Sequence, residues 1–201
     1  MEGASFSLIV KDVHNGETVF AYDTLRQLTP ASVMKTVTTA TALEILGEDY
    51  RFPTTLAYDG SIEKGLLKGN LYIKGSGDPS LGSAHFAPYH KRFLQEWISA
   101  LKKVGIHKIQ GAVIADESIF DTEGTSFKWV GEDMGSYYGA GSYGLCVFDN
   151  LYKLGLQTGA PGSRPKLKGT EPELSGIHFH NYLTAQQVSS DSSFIVGAPF
   201  A

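Results

Sequence analysis

The start of the chain alternates apolar and polar residues in two short runs. The alternation spans residues 6–10 and returns over residues 19–22, on either side of Asn15-Gly16. Alternation with a period of two predicts strands, and an Asn-Gly pair between two strands favours a tight turn. The first residues therefore predict a β-hairpin.

A different pattern follows Pro30. Residues 32–46 are apolar or small and include several threonines, and Gly47 follows them. A proline just before the run and a glycine just after it are typical helix boundaries. Because small and apolar residues face every side of this helix, we expect it to be buried by close packing.

From Tyr50 the pattern changes to short strands separated by glycine turns. Asp59-Gly60 and residues 75–79 have turn composition, residues 109–120 include a strand, and residues 158–175 indicate loops. Residues 91–105 form the exception, since their apolar positions repeat with a helical period. The expected class is α+β, with one domain part at 1–50 and a β-rich part at 51–201 that contains more than one subdomain.

Composition excludes several classes of protein. The net charge of −4 and the scattered lysines and arginines provide no basic surface for nucleic acid. The one cysteine, Cys146, allows neither an internal disulfide nor a thiolate zinc site. We expect no membrane-spanning segment, because no apolar run approaches the required length, and we expect no cofactor.

A Ser-x-x-Lys pattern occurs four times, so context must decide whether any copy is catalytic. It occurs at Ser32/Lys35, Ser61/Lys64, Ser99/Lys102 and Ser163/Lys166. Ser32 alone falls at a predicted helix start, where free N–H groups and the helix dipole favour a developing negative charge. At a spacing of three, Lys35 lies on the same helical face as Ser32.

Two interpretations of Ser32 are open on these grounds. In the first, an apolar surrounding keeps Lys35 neutral, so that it removes the Ser32 proton while the oxygen attacks a carbonyl carbon. The N–H of Ser32 then supplies half of an oxyanion hole. In the second, Ser32 is an ordinary helix N-cap and Lys35 extends to solvent.

Three longer segments resemble one enzyme family. They are "TPASVMKTVTTATALEILGEDYRFPTTL", "GNLYIKGSGDPSL" and "GIHKIQGAVIADESIFD". In this order they resemble the penicillin-binding D-alanyl-D-alanine carboxypeptidase/endopeptidase family of serine peptidases, over most of residues 5–150. Three linked motifs are far more specific than one.

The resemblance implies a function and a set of site residues. Ser32 matches the serine that forms the acyl-enzyme and is trapped by β-lactam inhibitors, Lys35 matches the general base, and Asp116 matches an aspartate that binds a substrate side chain. The implied substrates are peptidoglycan stem peptides, and the implied location is periplasmic or extracytoplasmic, with a leader removed. The family's fold implies that residues 1–50 begin a β-lactamase/transpeptidase-like domain, as a hairpin plus a buried helix. A β-rich inserted domain is expected to follow.

The sequence departs from the family in one respect. It contains no Ser-x-Asn and no Lys-Thr-Gly motif; the nearest string, at 157–159, begins with Gln157 in place of the cation. We therefore expect an N-terminal part of a longer enzyme, truncated at its C-terminus and inactive alone. The alternative is a non-catalytic module that binds peptidoglycan. His178 and His180 share a strand face but have no evident third metal ligand.

Overall fold

The structure, a computed structural model, describes residues 3–86, 92–121, 123–133, 136–184 and 193–197. The chain divides into two compact units, which meet in sequence between Arg51 and Phe52. Small sheets and short helices make up both, so the expected α+β class is confirmed.

The first unit begins with the predicted hairpin. Strands β1 (Leu8–Lys11) and β2 (Thr18–Tyr22) pair antiparallel, and Leu8 lies opposite Tyr22. Gly16 has φ +77°, a left-handed conformation that glycine adopts without a steric cost. The Asn-Gly signal therefore located the turn correctly.

The predicted helix follows. It consists of a 3-10 turn at Ala31–Val33 and helix α1 at Met34–Leu46. Gly47 ends α1 with φ +81°, and its N–H donates to the Leu43 carbonyl at 3.0 Å. Both boundaries agree with the proline and glycine signals.

The expectation that this helix is buried is wrong. No residue of α1 is buried, and the side chains of Val37 and Ile45 are 56% and 74% exposed. A helix with apolar residues on every side needs neighbours on every side, and one hairpin does not supply them. The apolar composition of the helix makes burial possible, but burial also needs neighbouring residues, and the composition of the helix does not specify them.

The described part of the second unit contains nine strands and one α-helix. The elements are β3 Thr55–Tyr58, β4 Ser61–Glu63, β5 Leu66–Lys68, β6 Leu71–Lys74, α2 Phe93–Lys103, β7 Lys108–Ile109, β8 Val113–Asp116, β9 Tyr152–Gln157, β10 Lys166–Glu171 and β11 Ser193–Gly197. The strands form three three-stranded sheets, with the orders β3-β6-β8, β4-β5-β7 and β10-β9-β11.

A small hydrophobic core lies beside α2. Phe93, at the start of the helix, is 4% exposed, and its ring meets the rings of Trp97 at 4.9 Å and Phe148 at 5.6 Å. Both pairs adopt the edge-to-face geometry that aromatic rings favour. The predicted amphipathic helix is thus confirmed, with Gly105 (φ +86°) just beyond its end.

Two loop segments carry features that the sequence did not predict. Strand β10 lies inside the predicted loop 158–175, because β9 provides an antiparallel partner that turn-rich composition could not indicate. The residues Phe148, Asp149 and Asn150 all have positive φ, at 55°, 58° and 52°. A left-handed turn of three non-glycine residues is unusual, since each such residue costs roughly 1–2 kcal/mol.

Candidate active site

Ser32 lies in the middle of the 3-10 turn that leads into α1. The N–H of Val33 closes this turn by donating to the Pro30 carbonyl at 3.0 Å. The N-cap residue of α1 is Val33, which makes no side-chain capping hydrogen bond. Ser32 is therefore not the N-cap of α1, and its hydroxyl is directed to another partner.

That partner is Lys35. The Nζ of Lys35 donates to the Oγ of Ser32 at 3.0 Å. The two residues lie one turn apart, where side chains spaced by three residues meet. A proton can pass directly between a nucleophile and a base at this separation.

The remaining Ser-x-x-Lys pairs differ from this one. Within the described chain, neither Ser61/Lys64 nor Ser99/Lys102 forms a serine–lysine hydrogen bond, and the hydroxyl of Ser163 donates to the Ala160 carbonyl at 2.6 Å. Context in the sequence had singled out the same pair. The Ser-x-x-Lys spacing alone does not distinguish this pair from the other three.

The solvent environment of the pair differs from our expectation. Both Ser32 and Lys35 are exposed, as is every described residue of the first unit except the half-buried Asp12. The apolar surrounding predicted for Lys35 is therefore not provided by the described residues. The Lys35–Ser32 hydrogen bond is present, and the described residues leave both side chains exposed to solvent.

Asp116 lies in the second unit, at the end of β8. Parallel pairing of β6 with β8 places Lys74 opposite Asp116. The Ser118 N–H donates to Asp116 Oδ1 at 3.0 Å. Bonds from the hydroxyl and the N–H of Ser118, together with the Lys74 cation, lower the pKa of the Asp116 carboxyl.

Asp116 thus has the turn-capping role that is common for strand-end aspartates. Its half-exposed carboxylate stays ionised at neutral pH and can still accept a bond from a ligand. Lys74 could not be predicted as a neighbour of Asp116 from the sequence, because the register of β6 against β8 is a tertiary property. The structure brings Ser32 and Lys35 together, and Asp116 belongs to the other unit.

In the described ranges, no group of three or more His, Cys, Asp or Glu side chains could hold a metal ion. His178 and His180 are both exposed. Neither α1 nor α2, the helices of the described chain, has the length and hydropathy needed to cross a bilayer.

Similar proteins of known sequence are D-alanyl-D-alanine carboxypeptidases. One from Actinomadura sp. (strain R39) is 33% identical over 147 residues, which are 73% of this chain and 26% of that protein. The carboxypeptidase DacB of Haemophilus influenzae is 29% identical over 133 residues, which are 66% of this chain and 26% of that protein. The matched part is thus about a quarter of the length of these relatives.

Solved structures show the same fold. Penicillin-binding protein 4 of Haemophilus influenzae matches with a TM-score of 0.74 at 20% identity, over 94% of this chain and 46% of that chain. The same protein in complex with a β-lactam matches with a TM-score of 0.65 at 21% identity, over 98% of this chain and 45% of that chain.

A family model gives the broadest match. The model of the D-Ala-D-Ala carboxypeptidase 3 (S13) family covers residues 1–200. This range includes the three segments that resemble such peptidases, together with the Ser32–Lys35 pair. The chain belongs to the D-Ala-D-Ala carboxypeptidase 3 (S13) family.

Proposed function

We propose that this chain supplies the nucleophile and base of a serine-type D-Ala-D-Ala carboxypeptidase/endopeptidase that acts on peptidoglycan stem peptides. The observation that carries the proposal is the 3.0 Å contact between Lys35 Nζ and Ser32 Oγ at the start of a helix. Membership of a carboxypeptidase family supports it. A serine with no base beside it would be a poor nucleophile at neutral pH.

The proposed reaction proceeds through an acyl-enzyme. Lys35 takes the proton of Ser32 as general base, and Oγ attacks the carbonyl carbon of the penultimate D-Ala. The Ser32 N–H donates to the developing oxyanion. The carbon–nitrogen bond then breaks, the terminal D-Ala leaves with a proton on its amine, and water hydrolyses the ester to restore Ser32.

Asp116 is proposed as a substrate-binding residue. Its carboxylate is ionised at neutral pH, so it suits a cationic or hydrogen-bond-donating group on the side chain of a stem peptide. The bonds from Ser118 hold the carboxylate in one orientation while leaving it half-exposed.

Three further parts of the proposal rest on the family. Residues 1–50 begin a transpeptidase-like domain, and residues 51–201 form an inserted β-rich region with more than one subdomain. The division of the chain after Arg51 supports this boundary. The protein works in the periplasm or another extracytoplasmic compartment, and β-lactams inhibit it, as the β-lactam complex of a structural relative suggests.

The 201 residues alone are proposed to be inactive. Family members use a Ser-x-Asn and a Lys-Thr-Gly motif for proton handling and carboxylate binding, and neither motif occurs here. The same absence favours a second candidate, a non-catalytic module that binds peptidoglycan. That candidate predicts saturable binding to purified sacculi without release of D-Ala, even by the longest natural form.

Acylation by a labelled penicillin tests the catalytic proposal. The longest natural form of the protein is incubated with the label, and the labelled peptide is located by mass spectrometry. We expect a covalent adduct on Ser32, its loss in Ser32→Ala, and acylation at least about a hundredfold slower in Lys35→Ala. Ser99→Ala is the matched control, because Ser99 has the same spacing to a lysine, and it should label normally. An adduct that persists in Ser32→Ala would refute the assignment.

A further inference from the structure

A groove lies between the C-terminal half of α2 and the segment that continues into β7. Its volume is about 200 Å³. Seven residues line it and define what we call the α2–β7 groove: Ile98, Leu101, Lys102, Ile106, His107, Lys108 and Ile109. The groove lies wholly within the second unit and is formed by residues that the proposed reaction does not use.

The floor of the groove is aliphatic. Ile106 is 3% exposed, and Leu101 and Ile109 are half-buried. Ile98, on the adjacent turn of α2, is 50% exposed. An aliphatic floor beside a half-exposed isoleucine can receive an apolar group from outside, and the hydrophobic effect would favour this.

The rim of the groove is cationic. Lys102 and Lys108 supply two cations, and His107 lies beside them; all three residues are exposed. No described carboxylate forms an ion pair with either lysine. The N–H groups of His107 and Lys108 both donate to the Gly65 carbonyl, at 2.8 and 3.1 Å. Gly65, the residue just before β5, thus fixes the backbone of the rim. Two lysine cations line the groove in a chain whose net charge is −4.

We propose that the α2–β7 groove binds an acidic segment of a partner protein, with one apolar side chain on the floor and carboxylates on the rim. The groove is smaller than the roughly 300–1,000 Å³ that drug-sized ligands occupy, so it suits a side chain and not a whole cofactor. The unpaired cations select an acidic partner by charge complementarity.

The binding mode predicts a particular dependence on charge and salt. Exposed ion pairs contribute little individually and are screened by salt, so binding should weaken as the salt concentration rises. The aliphatic contact should be insensitive to salt. A partner therefore needs both its apolar residue and its flanking carboxylates.

Isoleucine methyl NMR provides the test, because three of the lining residues carry this label. The probe is a blocked peptide in which one leucine is flanked on both sides by glutamates. We expect saturable shifts of the methyl signals of Ile98, Ile106 and Ile109, and none of Ile9 or Ile45. The analogue with glutamines should bind at least about tenfold more weakly.

Two double variants separate the groove from general charge effects. Lys102→Glu with Lys108→Glu should weaken binding of the acidic peptide at least about tenfold. Lys166→Glu with Lys168→Glu changes the net charge equally at β10 and should leave binding unchanged. Equal binding of the glutamate and glutamine peptides would overturn the proposal. So would groove shifts that appear only with phosphatidylglycerol vesicles, since these would identify a membrane as the partner.

Discussion

Gly75, which follows β6, makes a backbone contact that leaves no room for a side chain. A Cβ at this position would lie 2.0 Å from the Gly144 carbonyl oxygen and 2.7 Å from the Leu145 Cα. These are backbone atoms, so no rotamer change can relieve the contact. Gly75→Ala must therefore move one chain segment away from the other.

The size of the effect follows from the hydrogen bonds across this contact. An ordinary van der Waals contact needs about 3.4 Å, so the two segments would have to move apart by a further distance of about 1.4 Å. The Gly77 N–H donates to the same Gly144 carbonyl at 2.8 Å, and this bond would break. Overpacking costs about 1–3 kcal/mol and the lost bond about 1 kcal/mol, so we expect a loss of about 2–4 kcal/mol in unfolding free energy.

Thermal and urea unfolding measure this loss. For a chain of this size the melting temperature should fall by about 4–16 °C. The matched control is Gly131→Ala, because a Cβ at Gly131 meets no atom within 4 Å; it should change the unfolding free energy by less than about 0.5 kcal/mol. Equal stability of the two variants would refute the steric argument.

Two further predictions concern the second unit. Asp149 has φ 58°, a left-handed conformation that a β-branched residue adopts poorly. The unfolding free energy of Asp149→Val should therefore be about 1–2 kcal/mol lower than that of Asp149→Gly. Equal urea midpoints of the two variants would contradict this. Bonds from the Asn70 N–H, the Tyr72 hydroxyl and the Asn70 side chain lower the pKa of the Asp59 carboxyl. At a pH between its folded and unfolded pKa values, Asp59 therefore binds fewer protons in the folded state than in the unfolded state. Its carboxylate stabilises the fold fully above the unfolded pKa of about 3.9. This contribution is lost as the pH falls through the lower pKa of the folded state. Urea midpoints measured across this range should depend less steeply on pH in Asp59→Asn, and an unchanged slope would disprove the assignment.

Local signals in the sequence predicted the elements that depend on neighbouring residues. Asn15-Gly16 indicated the first hairpin, Pro30 and Gly47 indicated the limits of α1, and the helical period over 91–105 indicated α2. Each of these signals acts within a few residues along the chain. The structure confirms all three.

Features that depend on distant residues were not predictable in this way. The parallel pairing of β6 with β8 places Lys74 opposite Asp116, and the partner strand β9 makes β10 a strand. The burial of α1 was predicted wrongly for the same reason. At the candidate site, sequence context selected Ser32 and Lys35. The 3.0 Å distance between Lys35 Nζ and Ser32 Oγ could be known only from the structure.

The exposure of the first unit has a consequence for the energetics of the Ser32–Lys35 pair. In bulk water, two unit charges 4 Å apart attract by only about 1 kcal/mol, against about 4 kcal/mol at the effective dielectric constant of a protein site. The charges that would form when Lys35 takes the proton of Ser32 are therefore strongly screened while water surrounds both side chains. In the proposed reaction, the rate at which Ser32 attacks a carbonyl should thus depend on the dielectric constant of whatever covers the pair, and the 3.0 Å hydrogen bond alone would not set it.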